Sequence, residues 1–340
     1  MRRRRAWIET LPFEAIARPH VVALLASRQI EPIVAVWPST PIEAIVRVIE
    51  AHGEAGQPVA LWPMLSDREG RWANAGNAGT FVDFVHQLCA RLAATGRAPA
   101  EIVVDLEPSI EAMRASFASS AIPVHMPQIP GDLRPFVAAQ GRLAALCDAL
   151  HAQGILASSA APPTVLLDPD PREGSARPFQ EVQGTPIDGP AWDHVSFMLY
   201  TSILEGWSRG VLRRVDARAL LGVACRAARE RLGDRAGASI GAVGVGAFGD
   251  EPTYRGVAEL ADDVAIARAA GVDDLALFDL GGVIQRGPPE PWLDAFVGTE
   301  PLARLPEPSL RLRGVIAAAR LAGGVFGALG RVRGATRPTR

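Results

Sequence analysis

The sequence predicts an α/β fold of the (β/α)8 type, the TIM barrel, and three observations support this prediction. Eight short apolar runs alternate with longer helical patterns along the chain. The fourth run, residues 101–104 (Glu-Ile-Val-Val), is apolar and β-branched, as is typical of a parallel strand covered on both faces. The alternation extends over about 300 of the 340 residues, a length that suits one barrel.

The predicted strands are residues 6–10, 33–37, 59–64, 102–107, 155–160, 195–200, 240–247 and 275–280. The predicted helices between them are residues 13–27, 41–52, 78–95, 133–153, 216–232, 256–270 and 291–297. Glu9 and Pro12 crowd the first strand, and without it the pattern fits a seven-strand or open doubly wound sheet. We expect one barrel domain over residues 1–300 and a separate tail over residues 301–340.

Two predicted connections are longer than the two to six residues usual between strand and helix. They cover residues 108–132 after the fourth strand and residues 161–193 after the fifth. Both follow strands, so both belong to the carboxyl face of the barrel, where long loops build and cover a site. We therefore expect these loops to border the functional site.

Composition excludes several classes of function. All 35 basic residues are arginine, which excludes Schiff-base aldolases, pyridoxal-phosphate enzymes and Walker-type nucleotide hydrolases, because each needs a lysine. The net charge of −2 gives no reason to expect nucleic acid as a ligand. Cys89, Cys147 and Cys225 are widely spaced, and the histidines form no metal-binding motif. We expect neither a disulfide framework nor a cofactor.

Both ends of the chain are rich in arginine. Four arginines follow Met1, but the next segment contains Glu9, Pro12 and Glu14 and lacks the apolar core of a signal peptide, so we expect a cytoplasmic protein. After Glu307 the tail contains seven arginines and no acidic residue. This pattern is compatible with an amphipathic segment on an anionic membrane or a partner, and also with a frayed basic extension.

The most informative feature of the chain is a pair of carboxylates at the end of the fourth strand. Side chains alternate along a strand, so Asp105 and Glu107 point to one side while Val104 and Leu106 point to the other. Pro108 ends the strand. The carboxyl ends of strands carry the chemistry of α/β barrels. The pair is therefore the predicted centre of the site, the alternative being that one carboxylate only caps the following segment.

Residues 100–107, Ala-Glu-Ile-Val-Val-Asp-Leu-Glu, resemble the signature Asp-x-x-Asp-x-Asp-x-Glu of family 18 glycoside hydrolases, the chitinase-like barrels. In that family the signature closes the fourth strand. Its last aspartate and its glutamate are present here as Asp105 and Glu107, whereas Ala100 and Val103 stand in place of the first two aspartates. The resemblance indicates a divergent relative of this superfamily.

Later strands are similar to the same family. The sixth strand resembles its Met-x-Tyr-Asp segment, with Met198 and Tyr200 present and Thr201 in place of the aspartate. Residues 244–249 resemble a strand of small residues that ends in an aromatic residue and glycine, and residues 277–282 resemble an aromatic residue followed by an acid and small residues. The similarity thus extends from the fourth strand to the eighth.

The resemblance implies a chemistry for these residues. In that family the glutamate protonates the glycosidic oxygen while the N-acetyl group of the substrate attacks the anomeric carbon, so no nucleophile of the enzyme is needed. Glu107 would be the acid, Asp105 would hold the acetamide, and the Tyr200 hydroxyl would stabilise the intermediate. Because Val103 removes one partner of Asp105, either Asp279 or Glu9 replaces that partner or the site has lost activity.

Aromatic residues at predicted strand ends point to sugars by a separate argument. Their flat faces suit the apolar faces of pyranose rings, while the indole N–H keeps a polar group available. We expect an oligosaccharide to contact the tryptophans near these strand ends together with one methionine and one acid, namely Trp37, Trp62, Trp72, Trp207, Met198 and Glu9.

Other readings of the acidic residues stay open. If Glu107 and Asp279 faced each other at about 5 Å, a double-displacement glycosidase would fit as well. The missing aspartates fit a carbohydrate-binding barrel without catalysis. A magnesium enzyme acting on a small anionic substrate would use the oxygens of Asp105, Glu107 and Asp279, with the anion bound by basic residues near the mouth, Arg209, Arg213 and Arg214. Asp250 and Glu251 are interpreted as loop acids near a turn.

Overall fold

The computed structural model describes residues 2–119, 132–169 and 177–335. Within them, eight parallel strands close into a barrel in chain order, with the last strand paired to the first. The strands are β1 (Arg3–Ile8), β2 (Glu31–Val36), β3 (Ala60–Pro63), β4 (Glu101–Asp105), β5 (Leu156–Ala161), β6 (His194–Met198), β7 (Ala236–Gly241) and β8 (Asp274–Phe278). The predicted (β/α)8 TIM barrel is confirmed.

The α-helices within the described ranges are α1 (Phe13–Ile16), α2 (Pro19–Ala26), α3 (Ile42–Glu54), α4 (Ala78–Ala94), α5 (Ile110–Ser119), α6 (Arg134–His151), α7 (Pro178–Gln183), α8 (Thr201–Trp207), α9 (Arg214–Leu232), α10 (Val257–Ala269), α11 (Leu280–Arg286), α12 (Glu290–Gly298) and α13 (Leu310–Ala335). The helix predicted over residues 13–27 is interrupted. Arg18 is extended and Pro19 begins α2, because proline has no N–H to continue the preceding helix.

The seventh strand begins and ends earlier than predicted. The sequence pattern placed it at residues 240–247, whereas β7 ends at Gly241 and the segment from Gly244 to Gly246 follows it as a loop. The β7 sequence, Ala-Gly-Ala-Ser-Ile-Gly, has low β-propensity, and hydrogen bonds to β6 and β8 on both sides hold it extended. The glycine-rich loop therefore belongs to the carboxyl face of the barrel.

β1 begins inside the arginine run, three residues before the predicted start. Arg5 is 1% exposed and donates to the Asp274 carboxylate at 3.0 and 2.8 Å and to Glu101 at 3.3 Å. Arg3 donates to Glu31 at 2.8 Å and to Glu101 at 2.5 Å. These arginines belong to β1 because the first residues of β2, β4 and β8 supply carboxylates at the amino end of the barrel.

Neighbouring residues of β1 to β4 alternate between two apolar cores. In β4, Val104 packs outward with the residues that face the helices, among them Leu88 of α4 and Leu143 of α6. Val103 packs inward with Trp7 and Trp62. β4 is thus covered on both faces, which explains its apolar Ile-Val-Val segment. The inner core also forms the floor on which the carboxyl-face residues stand.

The connections after β4 and β5 contain helices. α5 and α7 lie in them, and residues 120–131 and 170–176 of the predicted loops lie outside the described residues. In the predicted tail, α13 packs against α7 and α9, with Leu312 buried beside Leu212 and Ala219. Ser309 donates to the Asp216 carboxylate at 2.5 Å. None of the helices described is long and apolar enough to span a membrane.

Candidate active site

The end of β4 is held by hydrogen bonds on both sides. The Leu106 N–H donates to the Ala160 carbonyl of β5 at 2.9 Å, and the Ala73 N–H donates to the Asp105 carbonyl at 2.9 Å. Asp105 is 3% exposed, whereas Glu107 is half-buried. Both side chains line one cleft, as the alternation along the strand predicts.

The cleft lies over the carboxyl ends of the strands and contains about 1240 Å³ of empty space, part of it open to solvent. Its walls are mainly aromatic and apolar, with few polar groups, as is typical of sites for small molecules. The tryptophans and phenylalanines that line it are Trp7, Trp62, Trp72, Trp207, Phe248 and Phe278. The cleft therefore presents several flat aromatic faces close to two carboxyl groups.

The floor of the cleft is a fixed set of aromatic contacts. Trp7 and Trp62 meet edge to face, with ring centroids 4.8 Å apart at an interplanar angle of 71°. The Trp7 indole N–H donates to the Ser239 hydroxyl at 3.0 Å. The ring centroids of Tyr200 and Phe278 lie 5.2 Å apart. Rings held in this way present a preformed surface to a ligand.

Burial and the charges of neighbouring carboxyl groups raise the pKa of both β4 carboxyls. For Asp105, burial has the largest effect, and the charges of Glu107 and Glu9 raise its pKa further, well above the usual value. For Glu107, burial and the charge of Glu9 raise the pKa to about 8, against the opposing charge of Arg71. Glu107 therefore keeps its proton at neutral pH and can act as an acid.

Glu9 lies after β1 and forms the third carboxyl of this group. Its side chain is 6% exposed, and Arg71 donates to its Oε1 at 3.1 Å. Burial raises the pKa of Glu9 to about 7, and the charges of Asp279 and Glu251 act in the same direction against that of Arg71. Arg71 is oriented by Asp67, whose carboxylate accepts from its Nε at 2.8 Å. The charge of Glu9 raises the pKa of both Asp105 and Glu107, so a residue after β1 affects the protonation of the β4 pair.

Tyr200 also lines the cleft. Burial and the charges of Asp105 and Glu107 raise its pKa well above the usual value, so the phenol stays protonated and can donate. The next residue, Thr201, hydrogen-bonds through its hydroxyl to the buried Asp263 carboxylate of α10. Thr201 stands where the resembling segment has an aspartate, and this hydrogen bond brings the Asp263 carboxylate to its side chain.

The structure places the other predicted site residues in two groups. Trp62, Trp72, Trp207 and Met198 line the cleft with Glu9, whereas Trp37 and Asp279 are not among its lining residues. Trp37 is half-buried after β2, and its backbone N–H donates to the Thr40 hydroxyl at 2.9 Å. Asp279 is 1% exposed and caps α11, where its Oδ1 accepts from the Gly282 N–H at 2.9 Å.

Sequence reasoning missed several residues of the site. Trp7 could have been found from the strand period. It lies two residues before Glu9, and side chains two residues apart on a strand point to the same side. Arg71 and Phe248 lie in irregular segments, where no periodicity indicates direction. Glu251, interpreted as a loop acid, is 7% exposed and lines the cleft. Among the described residues, no group of three or more His, Cys, Asp or Glu side chains is arranged to hold a metal ion.

The comparisons with known proteins support the fold. No family model and no curated protein matches the chain. A class V chitinase from Pseudomonas fluorescens is 13% identical, with a TM-score of 0.55, over 87% of this chain and 98% of that one. The PgaB glycoside hydrolase domain from Bordetella bronchiseptica is 11% identical, with a TM-score of 0.51, over 88% of this chain and 99% of that one.

A third similar structure is the spore cortex-lytic enzyme SleL from Bacillus megaterium, 11% identical, with a TM-score of 0.51, over 89% of this chain and 75% of that one. At these identities the likeness concerns the fold. The chain therefore has the barrel fold of chitinase-like glycoside hydrolases, and the predicted resemblance is confirmed at that level.

Proposed function

We propose that this protein is a glycoside hydrolase that acts on an N-acetylated glycan, with Glu107 as the general acid. The observation that carries the proposal is the position of Glu107. It is half-buried at the carboxyl end of β4, faces an aromatic cleft beside Asp105, and has a pKa raised to about 8. A protonated carboxyl in such a cleft is what protonation of a glycosidic oxygen needs.

The proposed reaction uses the substrate's own acetamide as nucleophile. Glu107 gives its proton to the glycosidic oxygen as the bond from that oxygen to the anomeric carbon breaks. The acetamide oxygen forms the new bond to the anomeric carbon, and water later opens the cyclic intermediate. Asp105 accepts the acetamide N–H, and the Tyr200 hydroxyl donates to the acetamide oxygen. Val103 carries no charge and cannot act on Asp105 as an aspartate would. Glu9 takes over this role, since its negative charge raises the pKa of Asp105.

Two other functions are supported less well. A carbohydrate-binding barrel without catalysis is favoured by Ala100 and by Val103, which is fully buried in the inner core and cannot move a proton. A magnesium enzyme using Asp105, Glu107 and Asp279 is disfavoured by the position of Asp279, which caps α11 away from the lining of the cleft.

The substrate class can be tested with chromogenic glycosides that carry or lack N-acetyl groups, each assayed with and without EDTA. We expect turnover of the N-acetylated substrates alone, unaffected by EDTA, because the acetamide supplies the nucleophile. Turnover of substrates that lack the acetamide would contradict the substrate-assisted reaction. Loss of turnover in EDTA would indicate the metal-dependent alternative.

The pH dependence of kcat/KM is a second test. The acid must be protonated in the free enzyme, so we expect activity to fall as pH rises through about 8, the raised pKa of Glu107. Ionisation of Glu9, with a pKa of about 7, adds a negative charge that favours the protonated form of Glu107. A falling limb between pH 4 and 5, the range of an unperturbed glutamate, would contradict the assignment.

The cytoplasmic location and the membrane contact of residues 301–340 stay predictions. The packing of Leu312 against the barrel supports attachment of α13 to the protein itself. Co-sedimentation with anionic vesicles at moderate salt, with and without residues 317–340, tests whether the rest of the tail binds membranes.

A further inference from the structure

Two serine side chains point into the barrel from β6 and β7. The residues on either side of each serine belong to the outer core, so Ser196 and Ser239 face inward. They are 1% and 0% exposed, and their Oγ atoms lie 2.8 Å apart. A hydroxyl buried away from water costs free energy unless it is hydrogen-bonded, so the partners of this pair determine what it contributes.

A hydrogen bond from Trp7 determines how the serine pair is oriented. The indole N–H can only donate, and it donates to the Ser239 Oγ at 3.0 Å. Ser239 therefore accepts here and has its own proton left for another acceptor. Within the described ranges, the hydrogen-bond partner of the Ser196 hydroxyl is Ser239, so donation from Ser196 to Ser239 satisfies the Ser196 proton and leaves the Ser239 proton available.

The phenol of Tyr200 lies next to Ser239. Tyr200 follows β6, and its ring centroid lies 5.2 Å from that of Phe278 in β8, so the two rings meet across the end of β7, the strand between them. Gly241, the β7 residue that pairs with Phe278, has no side chain there. Ser239 is two residues earlier on β7 and faces the same side of the strand.

Ser239 contacts Tyr200 as a hydrogen-bond donor. Burial and the charges of Asp105 and Glu107 raise the pKa of Tyr200, and the hydrogen bond with Ser239 opposes this increase, as a bond donated to the phenol oxygen does. A phenol oxygen that accepts from Ser239 directs its own proton elsewhere, and Tyr200 lines the cleft on its open side. The contact with Ser239 thus determines which way the Tyr200 proton points.

We propose that Ser239 is a positioning residue, which holds the Tyr200 hydroxyl with its proton directed into the cleft. The inference rests on the proposed function, in which this hydroxyl donates to the acetamide oxygen of the substrate. Ser239 is fully buried and is not among the described residues that line the cleft, so it acts through Tyr200 and does not touch the substrate. The same serine hydroxyl holds the Trp7 ring at the floor of the cleft.

The hydrogen bond between Ser239 and Tyr200 can be tested without turnover, by NMR of the full chain labelled with ¹³C at the tyrosine Cζ. The chain has two tyrosines, so two signals are expected, and Tyr200→Phe assigns them. We expect Ser239→Ala to shift the Tyr200 signal, because the phenol oxygen loses a donor. The Tyr254 signal should stay in place, since that phenol donates to Asp263 at 2.6 Å in another part of the protein.

Ser159→Ala is the matched control. Ser159 is 1% exposed in β5, and its hydroxyl donates to a backbone carbonyl, that of Ala160, at 3.1 Å. This control should leave both tyrosine signals unchanged. Ser239→Cys is a second variant, whose thiol fills the space of the hydroxyl but is a weak donor. It should shift the Tyr200 signal even where the alanine variant does not fold, and circular dichroism establishes which variants are folded.

Kinetics with a double-mutant cycle distinguish positioning of Tyr200 from a purely structural role. We expect Ser239→Ala to lower kcat/KM for an N-acetylated glycoside by about 2–10-fold, the change that corresponds to one neutral hydrogen bond. In the Tyr200→Phe background the same substitution should cost much less, because the hydroxyl that Ser239 orients is already absent. A structural defect would lower kcat/KM equally in both backgrounds.

An unchanged Tyr200 signal in the folded Ser239 variants would overturn the inference, as would an equal shift in Ser159→Ala or equal losses of kcat/KM in the two backgrounds. Hydrolysis of N-acetylated glycosides by the unaltered protein is the separate test of the proposed function. If that hydrolysis is present while any of these results is found, the proposed function stands and only the positioning role fails. If the hydrolysis is absent, the proposed function fails, and the role of Ser239 in catalysis fails with it.

Discussion

Replacing Glu107 by glutamine is expected to lower kcat for an N-acetylated glycoside by about 10²–10⁴-fold, the usual contribution of a general acid. Glutamine keeps the volume and the hydrogen-bonding reach of the side chain but has no acidic proton to give. KM should change little, because the aromatic walls and Asp105 still hold the sugar. Steady-state kinetics of the two proteins on one substrate measures both quantities.

The leaving group makes this experiment specific to proton transfer. A dinitrophenyl leaving group departs without protonation, so Glu107→Gln should lose much less activity on that substrate than on a sugar leaving group. Glu111→Gln is the matched control, since Glu111 is exposed on α5, only four residues away. It should behave as the unaltered protein does. Equal losses on both leaving groups would assign Glu107 to binding or structure instead of acid catalysis.

The same variant separates the hydrolase from the carbohydrate-binding barrel. A barrel that only binds should show no turnover before the substitution and unchanged glycan affinity after it. Buried Val103 favours that alternative, whereas the raised pKa of Glu107 favours catalysis. A group that only binds sugar hydroxyls gains nothing from a pKa near neutrality, because both of its protonation states can accept a hydrogen bond.

The fold could be predicted because short apolar runs, typical of strands, alternate with longer helical patterns. This alternation is a property of whole segments and does not depend on single residues. The position of β7 could not, since its alanines and glycines have low β-propensity and its pairing partners are distant in sequence. Arg5 shows the same limit at the other end of the barrel. An arginine run is interpreted locally as solvated, and only Asp274 and Glu101, brought close by strand register, make burial of Arg5 favourable.

The site was predictable where the strand period determines side-chain direction. Asp105 and Glu107 were found in this way, because residues two apart on a strand point the same way. Glu251 and Arg71 were not, because their orientation depends on a turn and on the ion pair with Asp67, neither of which has a period. Asp279 was interpreted as a site acid from its place at a strand end, where a helix-capping role is equally compatible with sequence.

Replacing Arg5 by methionine is expected to lower the free energy of unfolding by about 3–5 kcal/mol at neutral pH. Methionine keeps much of the side-chain length but removes the donors to Asp274 and Glu101, which are 5% and 0% exposed. Arg3 still pairs with Glu101, whereas within the described ranges the basic side chain that remains beside Asp274 is His194, whose Nδ1 lies 3.5 Å from the carboxylate and whose pKa burial lowers. Urea denaturation of both proteins measures the difference.

Arg97→Met is the matched control, because Arg97 pairs with Glu50 at the surface, where such a pair is worth about 0–1 kcal/mol. The pH dependence of the free energy of unfolding is an independent test of the same ion pairs. Burial alone would raise the pKa of Glu101, but the charges of Arg5 and Arg3 lower it overall. Its stabilising contribution is therefore present above the pKa of the unfolded chain and is lost as pH falls through the folded value, so the deficit of Arg5→Met should shrink in acid. A deficit no larger than that of Arg97→Met would show that the buried cluster contributes little to stability.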